Sequence, residues 1–434
     1  MTIRDTKFKI SKLFKESFLF KWWVILLSLG LGLLLGNSSS KISGIATQLL
    51  NLFSTLFGMC SILVLGCLML STFGHRIERP IRGVFLPLLV KFIKVAVAVS
   101  ALAITISFVF LKINGTNEFQ KRLFSQAVTE QTASSSKSIN VEYSQGEKNE
   151  TVSNFERAIL KIIPENIFYA LTNGDVLKVL IFSIALGLMF GRTESEGKEN
   201  LLLLIDGILD ACRFFIDKLS LLCPLILFIF GLKHSSQVKS ITAQGTLMFI
   251  TILTIIYFIV LLISSLLMKK EIGGGYFNQF QYVKRSLLLS LGVNDDTDCL
   301  LLTIADLEKL KNYKKDKIAL AVPTSFSLFS YGLIILLSAI ASYAAVVYNS
   351  SFSPMLFLKI IILSILVSFS VISLETTTIY SGVSIMLSAI MLPSSTMLVM
   401  LSTAIFLVIP LIRLVDVYIN ILITLKIAKT QINS

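Results

Sequence analysis

Apolar runs long enough to cross a lipid bilayer recur along this chain, and nothing else in it limits the fold as much. About 20 consecutive apolar residues span the hydrocarbon core as an α-helix. Runs of that length or more lie at about 46–72, 84–112, 241–268, 318–347 and 396–425, with shorter or interrupted ones between them. Inside lipid every backbone N–H and C=O must find a partner within the protein, so only helices and closed barrels cross. The alternating ten-residue segments of a membrane barrel are not seen in the sequence. The chain therefore reads as an all-α integral membrane protein. Only 15% of its 434 residues are charged and 54% are hydrophobic, against about 25% charged in soluble domains.

The charge pattern sets the expected topology. A formal net charge of +13 would suggest nucleic acid as a partner in a soluble chain. Here Lys and Arg gather in tails and loops, as cytoplasmic segments of membrane proteins do, so the expected partners are the bilayer and a small molecule, with no nucleic acid. The basic tail 1–21 precedes WWVILLSLGLGLLLG, which has no convincing cleavage site and reads as a retained first helix. The loop FGHRIERPIRG carries Arg76, Arg79 and Arg82 and belongs on the same side. Residues 113–165 are rich in Ser, Glu, Asn and Lys and read as an extracytoplasmic loop. The expectation is a multi-pass protein of the cell membrane with both termini, including the tail 426–434, in the cytoplasm.

Chemistry is sparse. Cys60, Cys67, Cys212, Cys223 and Cys299 are scattered, with no CxxC pair, which argues against a metal centre or a disulfide framework. His75 and His234 stand alone. No nucleophile–base pair, His-rich motif or phosphate loop is present, so the chain is not read as an enzyme.

The carboxyl-terminal half has a different texture. Residues 286–304, SLLLSLGVNDDTDCLLLTI, are two short apolar pieces around an acidic centre. Residues 355–392 form a long apolar segment interrupted by SFSVISLETTT. Each interrupted segment is followed by a span with polar residues inside it, at 318–347 and 396–425. Paired interrupted segments mark inverted-repeat secondary transporters, in which broken helices meet at a site near the midplane.

This order of features resembles the dicarboxylate/amino acid:cation symporter family, over about residues 22–430. The best local match is IIPENIFYALTNGDVLKVLIFSIALGLMFG, where family members carry a similar IVPxNPFxALAxGxVLxxIxFAIxxGIA. Cys223-Pro224-Leu225 followed by ILF resembles the family's APIGVF. The resemblance implies eight transmembrane helices and two re-entrant helical hairpins in a homotrimer with an elevator mechanism. It places helices 1–3 at 22–112 and helices 4–6 at 166–268. Hairpin 1 then falls at 276–305, helix 7 at 318–347, hairpin 2 at 355–393 and helix 8 at 396–425. It implies symport of an acidic amino acid such as glutamate or aspartate, or of a dicarboxylate. No cofactor is implied, and Na+ or H+ would be the coupling ion.

The motifs depart from the family where it matters. The serine-rich tip of the first hairpin is replaced by Asn294-Asp295-Asp296-Thr297-Asp298. The sodium-holding NMDGT of helix 7, counted from Pro323, is Phe329-Ser330-Tyr331-Gly332-Leu333, of which only the Gly survives. The Gly-rich tip of the second hairpin is Glu375-Thr376-Thr377-Thr378-Ile379-Tyr380. In helix 8, Arg413 falls on the family Arg that takes a substrate carboxylate. Pro410 falls on the Asp that takes an amino group. With a one-residue gap, Asp416 and Asn420 fall on the last two polar positions.

Arg413 heads the candidate substrate contacts, because a buried guanidinium inside a span must face protein or an aqueous cavity, and its planar fork suits a carboxylate. Its other reading is an ion pair with Asp416, three residues on. Asp416, Asn420, Asp296, Thr297, Thr376 and Thr377 complete the candidate substrate set. Glu375, Ser330, Asp416 and Asn420 are the candidates for cation or proton coupling; Glu375 stands alone in an apolar segment, where a carboxyl tends to take a proton. With the sodium motif degenerate, proton or altered coupling is expected. Two other readings stay open: a non-transporting membrane scaffold or sensor, and a carrier of a neutral or different organic solute.

Overall fold

The computed structural model describes residues 22–36, 40–74, 81–113, 166–173, 175–193, 196–239, 244–272, 276–292, 296–310, 313–348, 353–371 and 376–429. The basic tail 1–21, most of the polar loop 113–165, Asp295 and Glu375 lie outside them. Among the described residues the regular structure is all helical, with short turns and extended links and one isolated bridge between Tyr313 and Lys429.

The amino-terminal part contains α1 (Trp22–Leu35), α2 (Ser40–Gly74), α3 (Ile81–Ile113), α4 (Ile167–Asn173), α5 (Val176–Arg192), α6 (Glu196–Leu219), α7 (Cys223–Lys239) and α8 (Gln244–Ile272). The carboxyl-terminal part contains α9 (Tyr276–Ser290), α10 (Leu300–Leu307), α11 (Lys315–Leu328), α12 (Tyr331–Val347), α13 (Pro354–Ser370), α14 (Thr376–Ala389) and α15 (Ser395–Ala428). Among the described residues four stretches are long and apolar enough to cross a membrane: Leu89–Ile113, Met248–Ile272, Lys317–Val347 and Leu407–Ala428.

Two groups of helices emerge from the packing. In the first, α2 packs on α5, α6 and α7, and α1 packs on α7. Glycine makes the α1–α7 crossing close: a Cβ on Gly231 would sit 2.7 Å from the Leu29 carbonyl, and one on Gly32 would strike the Phe228 carbonyl. In the second group α15 packs on α11, α12, α9 and α14, while α13 lies against α12 and α14. Helices α3 and α8 flank this group, α3 against α12 and α8 against α15.

Both interrupted segments turn back on themselves. Helix α9 packs against α10 across a 3-10 turn, Asp296–Cys299, and α13 packs against α14. The first pair is stapled by charge. Asp306, 1% exposed, accepts from Arg285 Nε at 3.0 Å and Nη2 at 2.6 Å, from Lys309 Nζ at 2.7 Å, and from the Ser286 hydroxyl at 3.2 Å. A carboxylate this buried needs such partners, because an isolated charge would cost several kcal/mol. The second pair starts on Ser353, whose hydroxyl accepts from Leu356 N–H ahead of Pro354 at the first helical turn.

At one end of the bundle the ends of three helices are tied together. Lys314 N–H donates to the Ala428 carbonyl, the Tyr313 hydroxyl donates to the Glu271 carbonyl at 2.9 Å, and Lys429 pairs with Glu271 at 3.0 Å. Burial, and then the Glu271 charge, push the Tyr313 phenol above its usual pKa, so it stays a donor at any physiological pH.

Candidate functional site

The expected seventh span is not one helix. It stops at Leu328 and restarts at Tyr331, with Phe329 (φ −136°, ψ 118°) and Ser330 (φ −99°, ψ 93°) extended between. Pro323, from which the helix 7 motif is counted, lies inside α11. The break falls six residues later. Its flanks are deeply buried: Phe329 is 3% exposed and Tyr331 and Gly332 are fully enclosed.

A restarted helix presents backbone N–H groups without partners at its first turn. Ser330 stands at the N-cap position but does not cap with its own side chain. Asp416 of α15 does so instead. One of its carboxylate oxygens accepts from Gly332 N–H at 2.8 Å, and the other accepts from the Ser330 hydroxyl at 2.7 Å. A negative charge at a helix start is also favoured by the helix dipole. The Gly332 carbonyl is held from the other side by the Tyr257 hydroxyl of α8 at 2.9 Å. Gly332 itself permits this approach, since a Cβ there would collide with the Ile412 carbonyl and lie 2.8 Å from its Cα.

Aromatic rings wall the break. Phe329 lies 4.9 Å from Phe369 of α13 edge-on, 5.6 Å from Phe92 of α3, and 5.9 Å from Tyr331 in a stacked arrangement. Three buried polar atoms near it have no hydrogen-bond partner among the described residues: Ser327 Oγ, Tyr331 Oη and Asn420 Oδ1.

The sequence candidates gather on α15 and α12. Arg413 (5% exposed), Asp416 (0%) and Asn420 (1%) share one side of α15 at helical spacing, and Asp416 reaches Ser330 across to α12. Asp298 at the first hairpin turn is 2% exposed, so this turn is not a solvated one; it packs against α2, α11 and α15. The backbone puts Asp296 and Thr297 in the same turn, and Thr376 and Thr377 at the start of α14.

Several residues of interest carried no motif. Tyr257 lay hidden in an apolar run, and only its polar tip could have marked it. Lys233, half-buried, stands at the end of the apolar stretch Pro224–Lys233 of α7. On the same face, seven residues earlier, Ile226 packs on the hairpin-turn residue Gly292, since a Cβ there would lie 2.7 Å from Ile226 Cγ2. A hydroxyl web joins three more helices: Ser100 of α3 bonds Ser338 of α12 at 2.7 Å and Ser364 of α13 at 3.1 Å.

The family model of the sodium:dicarboxylate symporters matches residues 22–418. The C4-dicarboxylate transport protein of Pseudomonas syringae pv. tomato is 29% identical over 197 residues, which are 44% of this chain and 41% of that protein. The C4-dicarboxylate transport protein of Pseudomonas fluorescens is 29% identical over 192 residues, 43% of this chain and 42% of that protein. The match thus spans about two fifths of the length of these relatives.

Proposed function

The chain belongs to the sodium:dicarboxylate symporter family, and from that premise we propose that it is a secondary carrier of a small dicarboxylate, driven by a cation gradient across the cell membrane. The observation that carries this reading is Arg413. It is a buried guanidinium on a membrane-length helix, beside a helix break, at the position where the resemblance expects a carboxylate contact. A guanidinium there can take one carboxylate in two parallel hydrogen bonds.

Lys233 gives the reading its preference for a dianion. A second cation on the neighbouring α7 suits a solute that carries two negative ends. Pro410 sharpens it further. It stands where the resemblance puts the carboxylate that would hold an amino group, which favours a dicarboxylate over an acidic amino acid. The relatives named as C4-dicarboxylate transport proteins support a four-carbon substrate. The bilayer is the medium, a homotrimer the expected assembly, and an elevator movement of the α9–α15 group the expected route.

The test is uptake of labelled succinate into proteoliposomes under an imposed cation gradient, with aspartate as competitor. Arg413→Ala should weaken succinate binding at least about thirtyfold, since losing one partner of a buried charge pair costs about 2 kcal/mol or more. Wild-type vesicles that take up aspartate but not succinate would reverse the substrate assignment. A failure of both, with no ligand-induced rise in melting temperature, would favour the scaffold reading.

A further inference from the structure

A sodium ion needs several oxygen acceptors turned toward it, carboxylates and carbonyls foremost. The helix break is the place where this chain could offer them, so the fit can be tested atom by atom. The two carboxylate oxygens of Asp416 each face a protein donor, the Gly332 N–H and the Ser330 hydroxyl. The Gly332 carbonyl faces a third, the Tyr257 hydroxyl. One flank is filled by the Phe329 ring packed among Phe92, Phe369 and Tyr331. The remaining acceptors at the break, Ser327 Oγ, Tyr331 Oη, Asn420 Oδ1 and the last carbonyls of α11, are neutral. A cation among them would draw its counter-charge from Asp416, whose oxygens already meet N–H and O–H hydrogens. The residues present do not fit a sodium site at the break.

They fit another role. Breaking a helix in an apolar interior leaves backbone groups that cost several kcal/mol each unless something satisfies them. Here Asp416 of α15 takes the Gly332 N–H, one of the donors the break frees, and Tyr257 of α8 adds a further bond to the Gly332 carbonyl. Asp416 adds a negative charge at the positive end of α12. Ser330, the residue between the two helices, is anchored to the same carboxylate. Three helices therefore meet at one residue, Gly332.

We propose that Asp416, Ser330 and Tyr257 form a built-in clamp that holds the helix break in place of a bound sodium ion, so that the carrier binds its dicarboxylate without sodium. Asp416 is then a positioning residue: it fixes the break beside Arg413 and is spent on that task. The driving cation is a different one, or acts elsewhere. The sodium independence rests on the dicarboxylate reading above; the clamp itself does not.

The experiment is hydrogen exchange and thermal melting of the full chain in nanodiscs, in sodium chloride and in choline chloride at equal ionic strength. The amides of residues 329–334 should be equally protected in both salts, and succinate should raise the melting temperature equally in both. Asp416→Ala should speed exchange in this segment tenfold or more. Should that variant fail to fold, Ser330→Ala is the milder probe, with faster exchange confined to the same segment. Protection that appears only with sodium would overturn the clamp, as would unchanged exchange in Ser330→Ala. A succinate shift that requires sodium would overturn sodium-independent binding. If succinate gives no shift in either salt, the dicarboxylate reading falls and sodium-independent binding with it, while the exchange data still decide the clamp.

Discussion

Two apolar stretches in this molecule look alike in sequence and are used in opposite ways. Leu89–Ile113 of α3 and Lys317–Val347 across α11 and α12 both qualify as membrane spans by length and composition. Yet 33% of the most apolar window of the first is buried in the protein, against 89% of the second. Val90, Ile93, Val97 and Val109 of α3 are turned outward, whereas almost every residue of α12 is enclosed by neighbouring helices. Hydropathy reports transfer out of water and cannot distinguish lipid from protein as the destination. What separates the two is detail: α12 begins at a backbone break and carries Gly332, Ser338 and Ser342, small or polar groups that let other helices approach.

The sharpest way to break this comparison is to make the same kind of truncation on both helices. Ile335 of α12 is 0% exposed. Ile335→Ala removes packed atoms and leaves a cavity, so it should cost about 2–5 kcal/mol. The check is equilibrium unfolding in mixed micelles, or the melting temperature in nanodiscs. A cost no larger than that of an outward-facing α3 residue would show that α12 is not the centre of the bundle.

Gly332→Ala sharpens it next. A methyl group there meets the Ile412 backbone rather than a flexible side chain, so α12 and α15 must separate, at about 1–3 kcal/mol. Separation would lengthen the Asp416 bonds to Gly332 and Ser330, so this variant should also expose the break to hydrogen exchange. Ile335→Ala should leave the break protected, which distinguishes general loosening from loss of the clamp.

How much of this was legible in the sequence follows from the same contrast. The all-helical character, several apolar helices and the places where the apolar pattern is interrupted could be read, because length, hydropathy and interruptions are one-dimensional properties. The family could be read too, from local motifs around residues 162–191 and 223–228. The site could be read only in part. Arg413, Asp416 and Asn420 were visible because a polar residue inside a span is expensive wherever it goes. What Asp416 binds was not, since its partners lie 84 and 86 residues earlier in the chain. Tyr257 and the Ser100–Ser338–Ser364 web were hidden for the same reason: each is an ordinary residue until folding supplies its partner. Pro323 does not mark the break itself. Proline disfavours helix interiors, but here the chain continues through it and opens only where Asp416 can cap the restart.

The smallest expected effect lies on the outward side. Val109 of α3 is 53% exposed, and lipid tails are as apolar as the side chain they touch. Val109→Ala deletes contacts that lipid replaces, and it leaves no cavity because the surrounding chains are fluid. Its stability should stay within about 0.5 kcal/mol of the wild type, as for substitutions away from packed features. The membrane environment is part of this prediction, so the measurement belongs in nanodiscs. A loss comparable to that of Ile335→Ala would mean that another protein surface, and not lipid, covers this face of α3. In that event the 33% buried in one chain understates the packing of α3 in the membrane.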